Sequence, residues 1–268
     1  LPRREYGSDA ASDAKGDDMP RRTALVTGAS YGVGAATALR LAAEGYDLAI
    51  TATQADNLRG TLGKLAAGGG RAMPLVLDLK SQDSIARTLR DAADALGSLD
   101  LLVNNAGVNL RKPATDVTRE EWDAVMGPNV SGTFFLSQQA ARHWIAAVRP
   151  GCIINIASAH GLVGAPERST YGISKAAILH MTRMLAVEWA EHGIRVNAVA
   201  PGRMQTDSPS RAEKGADPAY MAAMLKRIPL HRLATAEEVA AAVAWLASPA
   251  AATVTGHTLV MDGGLTVA

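Results

Sequence analysis

The chain has 268 residues, 48% of them hydrophobic, with 27 basic side chains against 26 acidic and a single cysteine. That length supports a large core, and the balanced charge supplies no field to draw in nucleic acid or an anionic membrane. The lone Cys152 excludes an internal disulfide and a multi-thiolate metal site, and no apolar run reaches the roughly 18–20 residues of a membrane helix, so a soluble, cytoplasmic, metal-free protein is expected.

Residues 1–22 are polar, mixed in charge and almost free of large apolar side chains, which suits a disordered or extension arm. They lack an apolar h-region, so no secretory signal is read there, and Met19 is a candidate natural start. Residues 23–268 alternate short apolar runs with longer helical segments. Strands are predicted at 23–28, 47–52, 72–78, 99–105, 152–158, 194–201 and 258–264, and helices at 33–44, 55–67, 82–96, 119–147, 171–192 and 236–247. Most of the strands lack polar/apolar alternation, as parallel strands covered on both faces do. Thr118-Arg-Glu-Glu121 and Thr235-Ala-Glu-Glu238 read as capping boxes at helix starts. The pattern argues for a single α/β domain of doubly wound, Rossmann type, with a seven-stranded mainly parallel sheet flanked by helices. Cys152, inside "CIINIAS", reads as a buried structural thiol.

The first strand runs into "TGASYGVG", with glycines at 28, 32 and 34, and then into a helix. Missing Cβ atoms there let the backbone approach a pyrophosphate whose charge sits at the helix N-terminus, so dinucleotide binding is expected. The end of the second strand should meet the adenosine ribose, where a carboxylate selects NAD over NADP. The aligned position, about 18 residues past Gly34, is Ala52, with Thr51, Thr53 and Gln54 as neutral donors beside it. The cofactor expectation is therefore NADP(H) or NAD(H), leaning to NADP(H). Past Pro201, the Gly/Pro/Ser-rich segment 202–218 and the short helical stretch after it form either a lid, placed around 202–228, or a plain surface loop.

These residues resemble the short-chain dehydrogenase/reductase family from Thr23 to Gly264. The likeness rests on "TGASYGVG", Asp78-Leu79, "NNAG" at 104–107, Asn129 in "NVSGTFF", Ser158, the YxxxK pair Tyr171 and Lys175, and Pro201-Gly202 with Thr206. The resemblance implies an NAD(P)-dependent oxidoreductase of small carbonyl or alcohol substrates, in a homotetramer packed through two long helices. It implies cofactor contacts from Gly28, Ser30, Tyr31, Gly32, Val33 and Gly34, from Thr53, Asp78 and Leu79, and from Asn105, Ala106 and Gly107. Tyr171 and Lys175, and then Pro201, Gly202, Met204 and Thr206, complete that implied set. Tyr31 stands where NADP-preferring relatives often carry a basic residue, which weakens the NADP lean. Pro128 before Asn129 should kink the fourth predicted helix.

The implied catalytic set is Asn129, Ser158, Tyr171 and Lys175. Reducing a ketone takes a hydride to carbon and a proton to oxygen, and a phenol is a poor base near neutral pH. A lysine one turn from Tyr171 and a helix N-terminus nearby both favour the phenolate, while Ser158 would donate to the substrate oxygen. Carried over from the family, the lysine also holds the nicotinamide ribose and the asparagine anchors a relay water. A Tyr/Lys pair four apart is otherwise a surface contact of a few tenths of a kcal/mol.

"NNAGVNLRKP" also resembles sugar-acid members of the family, the gluconate 5-dehydrogenases and deoxygluconate dehydrogenases. There Arg111 would pair with a substrate carboxylate, and His160 would meet a polyol hydroxyl, with Arg168 a weaker candidate. The rival readings are a 3-oxoacyl-carrier-protein reductase, and a catalytically silent NAD(P)H-binding sensor.

Overall fold

The computed structural model describes residues 21–204 and 218–268. The proposed arm up to residue 20, and the 205–217 part of the lid with Thr206, lie outside the described residues. Seven strands, β1 (Thr23–Val26), β2 (Asp47–Ala52), β3 (Ala72–Val76), β4 (Leu101–Asn104), β5 (Gly151–Ile156), β6 (Ile194–Pro201) and β7 (Thr258–Met261), form one sheet in the order β3-β2-β1-β4-β5-β6-β7. Every pairing is parallel. The helices are α1 (Gly32–Ala43), α2 (Arg59–Ala67), α3 (Gln82–Leu96), α4 (Arg119–Met126), α5 (Thr133–Ala146), α6 (Ser169–Trp189), α7 (Pro218–Lys226) and α8 (Ala236–Ala247).

Both faces of the sheet are covered, which is why the central strands present apolar residues to both sides. Ala24, Val26 and Ile154 point into a core shared with Val33 and Leu41 of α1 and Val239 and Val243 of α8. Their neighbours Leu25 and Ile153 point the other way, into a core with Ile85 and Leu89 of α3, Leu136 and Trp144 of α5 and Leu185 of α6. Cys152 is buried in the first of these cores, and burial pushes its thiol up to about 11, consistent with a structural role. Pro74 lies in β3, an edge strand, where its missing N–H does least harm to the ladder.

Several strands end earlier than their apolar runs. β3 stops at Val76 because the chain turns there: Leu77 N–H still reaches Ala52 O, at 2.9 Å, but Asp78 Oδ1 then accepts from Lys80 N–H at 2.9 Å. The predicted helix 119–147 is also not continuous. It breaks into α4 and α5 around a π-helical segment, Gly127–Gly132, so the irregularity expected at Pro128 takes the form of a widened turn.

Both capping boxes form. At α8, Thr235 Oγ1 accepts from Glu238 N–H at 3.2 Å, and Glu238 Oε2 accepts from Thr235 N–H at 2.9 Å. Arg232 adds two bonds to the same carboxylate, at 2.9 and 2.7 Å. Arg232 first, and the Thr235 N–H second, hold the Glu238 carboxyl at about 2, below its ordinary 4.5. A carboxyl depressed in the folded state adds stability that is complete above its unfolded value and lost as pH falls through the folded one. Glu238→Gln should therefore melt below wild type at neutral pH, and the gap should close between pH 4.5 and about 2 when Tm is followed against pH.

Candidate active site

Parallel strands end on one side of the sheet, and the candidate residues gather there. Gly28 follows β1, Thr53 follows β2, Asp78 lies just past β3, Asn105 follows β4, Ser158 lies just past β5 and Gly202 follows β6. Between β1 and β4 the strand order reverses, and this switch point opens the crevice in which doubly wound sheets bind ligands.

At the β1 end, Gly28 takes φ +64, and a Cβ on Gly34 would press onto the Gly28 carbonyl and come within 2.5 Å of Asn105 Nδ2. Only glycine at 34 leaves this cradle open. Asn105 Nδ2 donates to Thr27 O and Gly28 O, both at 2.9 Å, tying the turn to the end of β4. Thr27 Oγ1 accepts from the N–H groups of Asn105 and Ala106, each at 3.0 Å. Sequence reasoning passed over Thr27; its signal was a hydroxyl closing an otherwise apolar strand.

The start of α1 has no side-chain cap from Tyr31 and no acidic residue in its first turn, so its N–H groups are available to a pyrophosphate. Together with the glycine cradle, this donor set fits a dinucleotide. Val33 is buried in the core, so its side chain packs against the sheet and is not directed into the crevice's solvent. Tyr31 is exposed beside half-buried Ser30 and Gly32. Ala52 ends β2 with Thr53 exposed after it, and no carboxylate stands at the strand end itself. Asp78 is exposed and Leu79 half-buried. At the β6 end, Pro201 is buried, Gly202 N–H donates to Met261 O at 2.9 Å, and Met204 bridges to Ala234 while packing on the core.

The four candidate catalytic residues come from three places in the fold: the π-helical segment, the turn after β5, and α6, which carries two of them. Tyr171 lies in the first turn of α6, half-buried. Lys175, one turn on, is 6% exposed; its Nζ donates to Ile156 O at 2.7 Å and stands 5.8 Å from the centroid of the Tyr171 ring. Burying a cation is expensive, so a lysine held here by a strand-end carbonyl has been placed. Asn129 sits within the π-helical turn, 2% exposed, and clasps Val108: its Oδ1 accepts from Val108 N–H at 2.8 Å and its Nδ2 donates to Val108 O at 2.9 Å. Gly107 lies between the two: a Cβ there would stand 2.9 Å from Asn129 Oδ1 and 3.7 Å from Lys175 Nζ. Ser158 starts the short 3-10 turn Ala159–Gly161, which packs on α6, and its Oγ accepts from His160 N–H at 3.2 Å.

Ser174 was not singled out from the sequence, although it lies inside YxxxK. It is fully buried, donates to Tyr171 O at 2.7 Å and accepts from Asn129 Nδ2 at 3.0 Å, so one hydroxyl joins the asparagine to the backbone of the tyrosine.

The substrate candidates divide. The His160 ring stacks edge-on to Tyr171, with centroids 6.3 Å apart, beside the phenol. Arg111 is exposed, and its Nε donates to Glu167 Oε2 at 2.5 Å. Arg168 Nη1 donates to Asn109 Oδ1 at 2.7 Å. Among the described residues no group of three or more His, Cys, Asp or Glu is arranged to hold a metal, and no helix is long and apolar enough to cross a membrane.

A family model described as enoyl-(acyl carrier protein) reductase, from the short-chain alcohol dehydrogenase grouping, matches residues 28–266. The chain belongs to the short-chain dehydrogenase/reductase family. It is 39% identical to 3beta-hydroxysteroid dehydrogenase 1 of Eggerthella lenta over 94% of this chain and 96% of that one. It is 38% identical to the 2-dehydro-3-deoxy-D-gluconate 5-dehydrogenase of Escherichia coli, over 91% and 94% respectively. A crystal structure from Agrobacterium tumefaciens, a candidate 2-deoxy-D-gluconate 3-dehydrogenase with bound NADP, superposes with a TM-score of 0.85 at 37% identity, covering 92% of this chain and 97% of that one. As a short-chain dehydrogenase/reductase, the protein is an oxidoreductase acting on CH–OH groups of small molecules with a nicotinamide cofactor.

Proposed function

We propose that Asn129, Ser158, Tyr171 and Lys175 form the catalytic site of an NAD(P)-dependent interconversion of a secondary alcohol and its carbonyl, with a sugar acid such as gluconate/5-ketogluconate as substrate. The observation that carries the reading is the buried Lys175 ammonium, set one helical turn from Tyr171 and beside Gly107. Tyr171 Oη passes the proton to the substrate oxygen in reduction and takes it in oxidation. Lys175 and the α6 N-terminus stabilise negative charge as it develops on the phenol. Ser158 donates to the same substrate oxygen, and Asn129 holds the 107–108 backbone that walls the site. A bound nicotinamide supplies or accepts the hydride.

The glycine turn and the α1 N-terminus would hold the pyrophosphate, with Thr53 on the ribose side. The uncharged end of β2 at Ala52, and the NADP held by the Agrobacterium neighbour, support NADP(H) as the favoured cofactor. Exposed Ile145 on α5, and Met184 and Val187 on α6, support a homotetramer that covers these helices. Residues 23–268 then act as one dehydrogenase unit. The sugar-acid assignment is supported by the Escherichia relative and by Arg111 at the mouth.

The deciding assay offers purified protein NADPH and NADH with 5-ketogluconate, an acetoacetyl thioester and a cyclic ketone. The expected result is a kcat/KM for ketogluconate at least about tenfold above the others, with NADPH preferred. A thioester that outruns ketogluconate would replace the sugar acid with an acyl carrier substrate. Cofactor binding without turnover of any carbonyl would remove the catalytic reading.

A further inference from the structure

Two loops meet at the mouth of the site. The first, 108–112, leaves β4 and is held at one end by Asn129 through both polar atoms of Val108. The second, ending at Arg168, leads into α6 three residues before Tyr171. They are clasped in three places: Lys112 N–H donates to Glu167 O at 3.0 Å, Arg168 Nη1 donates to Asn109 Oδ1 at 2.7 Å, and Arg111 Nε donates to Glu167 Oε2 at 2.5 Å. Glu167 adopts φ +60, in the left-handed region that side chains other than glycine seldom occupy. Such a conformation persists when its surroundings hold it, and here Glu167 is held through both its carbonyl and its carboxylate.

We propose that Glu167 is a specificity-determining residue whose carboxylate stands in, at Arg111, for the carboxylate of a substrate. A guanidinium recognises carboxylates through its planar fork, whichever molecule carries them. With Glu167 already on Nε, an anionic substrate has to displace or share a charge that the protein itself supplies, whereas a neutral polyol meets no competitor. Both side chains are exposed, 43% for Arg111 and 39% for Glu167, so the pair is open to exchange with a solute and contributes little as a surface ion pair. The loops stay docked during such an exchange, because the Lys112–Glu167 backbone bond and the Arg168–Asn109 bond do not involve the Glu167 carboxylate. Of the other cations in the two loops, Lys112 is paired with Glu121 at 2.8 Å and Arg168 donates to the Asn109 amide oxygen, so Arg111 is the guanidinium that holds the Glu167 carboxylate. Glu167 thus sets how strongly the site prefers acids over their neutral counterparts.

This inference deepens the sugar-acid reading and rests on it for the position of the substrate, but its test does not depend on turnover. Wild type, Glu167→Gln and the double variant Glu167→Gln/Arg111→Ala are saturated with the reduced cofactor, so that gluconate cannot be oxidised. Each is then titrated calorimetrically with gluconate and with the uncharged gluconamide. Glutamine keeps the length and an acceptor oxygen but removes the competing charge. The expected result is gluconate binding about tenfold tighter to Glu167→Gln than to wild type, gluconamide binding unchanged, and the gain abolished in the double variant. Equal changes for acid and amide would mark a merely structural role and overturn the proposal. So would an unchanged gluconate affinity, an undetectable one in Glu167→Gln, or a gain that survives loss of Arg111. Failure of wild type to oxidise gluconate with the oxidised cofactor, measured separately, would instead count against the sugar-acid assignment alone.

Discussion

Tyr171→Phe should lower kcat about 10³-fold with the best substrate, in both directions, while cofactor affinity stays within about threefold of wild type. The substitution removes one oxygen and keeps the ring, so the edge-on contact with His160 and the placement of Lys175 over the ring survive. The phenol oxygen is the proton source in the proposed chemistry, and no other group in the described site is set to take over. In that chemistry Ser158 serves as a donor to the substrate oxygen and not as the acid, and Lys175 Nζ is occupied by Ile156 O. Single-turnover measurements with cofactor and substrate both saturating isolate the chemical step. A rate within a few-fold of wild type would mean that Tyr171 is not the proton donor. A fall that tracked a lowered melting temperature would also point away from chemistry, because a half-buried phenol loses little packing when it becomes a phenyl ring.

The site was legible in the sequence to different depths, for physical reasons. Gly28, Gly34, Tyr171 and Lys175 were readable as candidates because the geometry that marks them is local: a turn with positive φ, a close backbone approach, and one helical turn of spacing. The sheet was readable too, since burial on both faces leaves continuous apolar runs. Strand ends were not. Asp78 turns the chain by bonding the N–H of Lys80, and no apolar count registers that bond. The break of the 119–147 helix was signalled by Pro128, but its π-helical form, which sets Asn129 against Val108, 21 residues away, was not. Thr27 and Ser174 escaped notice for the same reason: each matters through long-range partners, Asn105 and Ala106 for one and Asn129 for the other. Arg111 was seen as a candidate clamp, but Glu167, 56 positions later, becomes its partner only when the two loops fold together.

The end of β2 gives the second large expected effect. Ala52→Asp should shift the ratio of kcat/KM for NADPH over NADH about 10²-fold toward NADH. Ala52 is the last residue of β2, paired with Val76 at the last position of β3, so a side chain there begins where the strand opens to the crevice. A carboxylate at that point accepts from both ribose hydroxyls of NAD and faces the 2′-phosphate of NADP with like charge. At about 4 Å and an effective dielectric near 20, two unit charges repel by about 4 kcal/mol, an upper figure that salt and exposure reduce toward the expected shift. Ala52 is 7% exposed and borders the core shared with α1, so some loss of stability accompanies the change. That loss acts on both cofactors alike and cancels in the ratio, which is why the ratio is the quantity to measure. Melting each protein with saturating NADH and NADPH gives an independent reading: the cofactor that protects better should reverse. An unchanged ratio would show that the β2 end does not face the adenosine ribose, and NADP selectivity would then have to be sought at Tyr31, exposed at the start of α1.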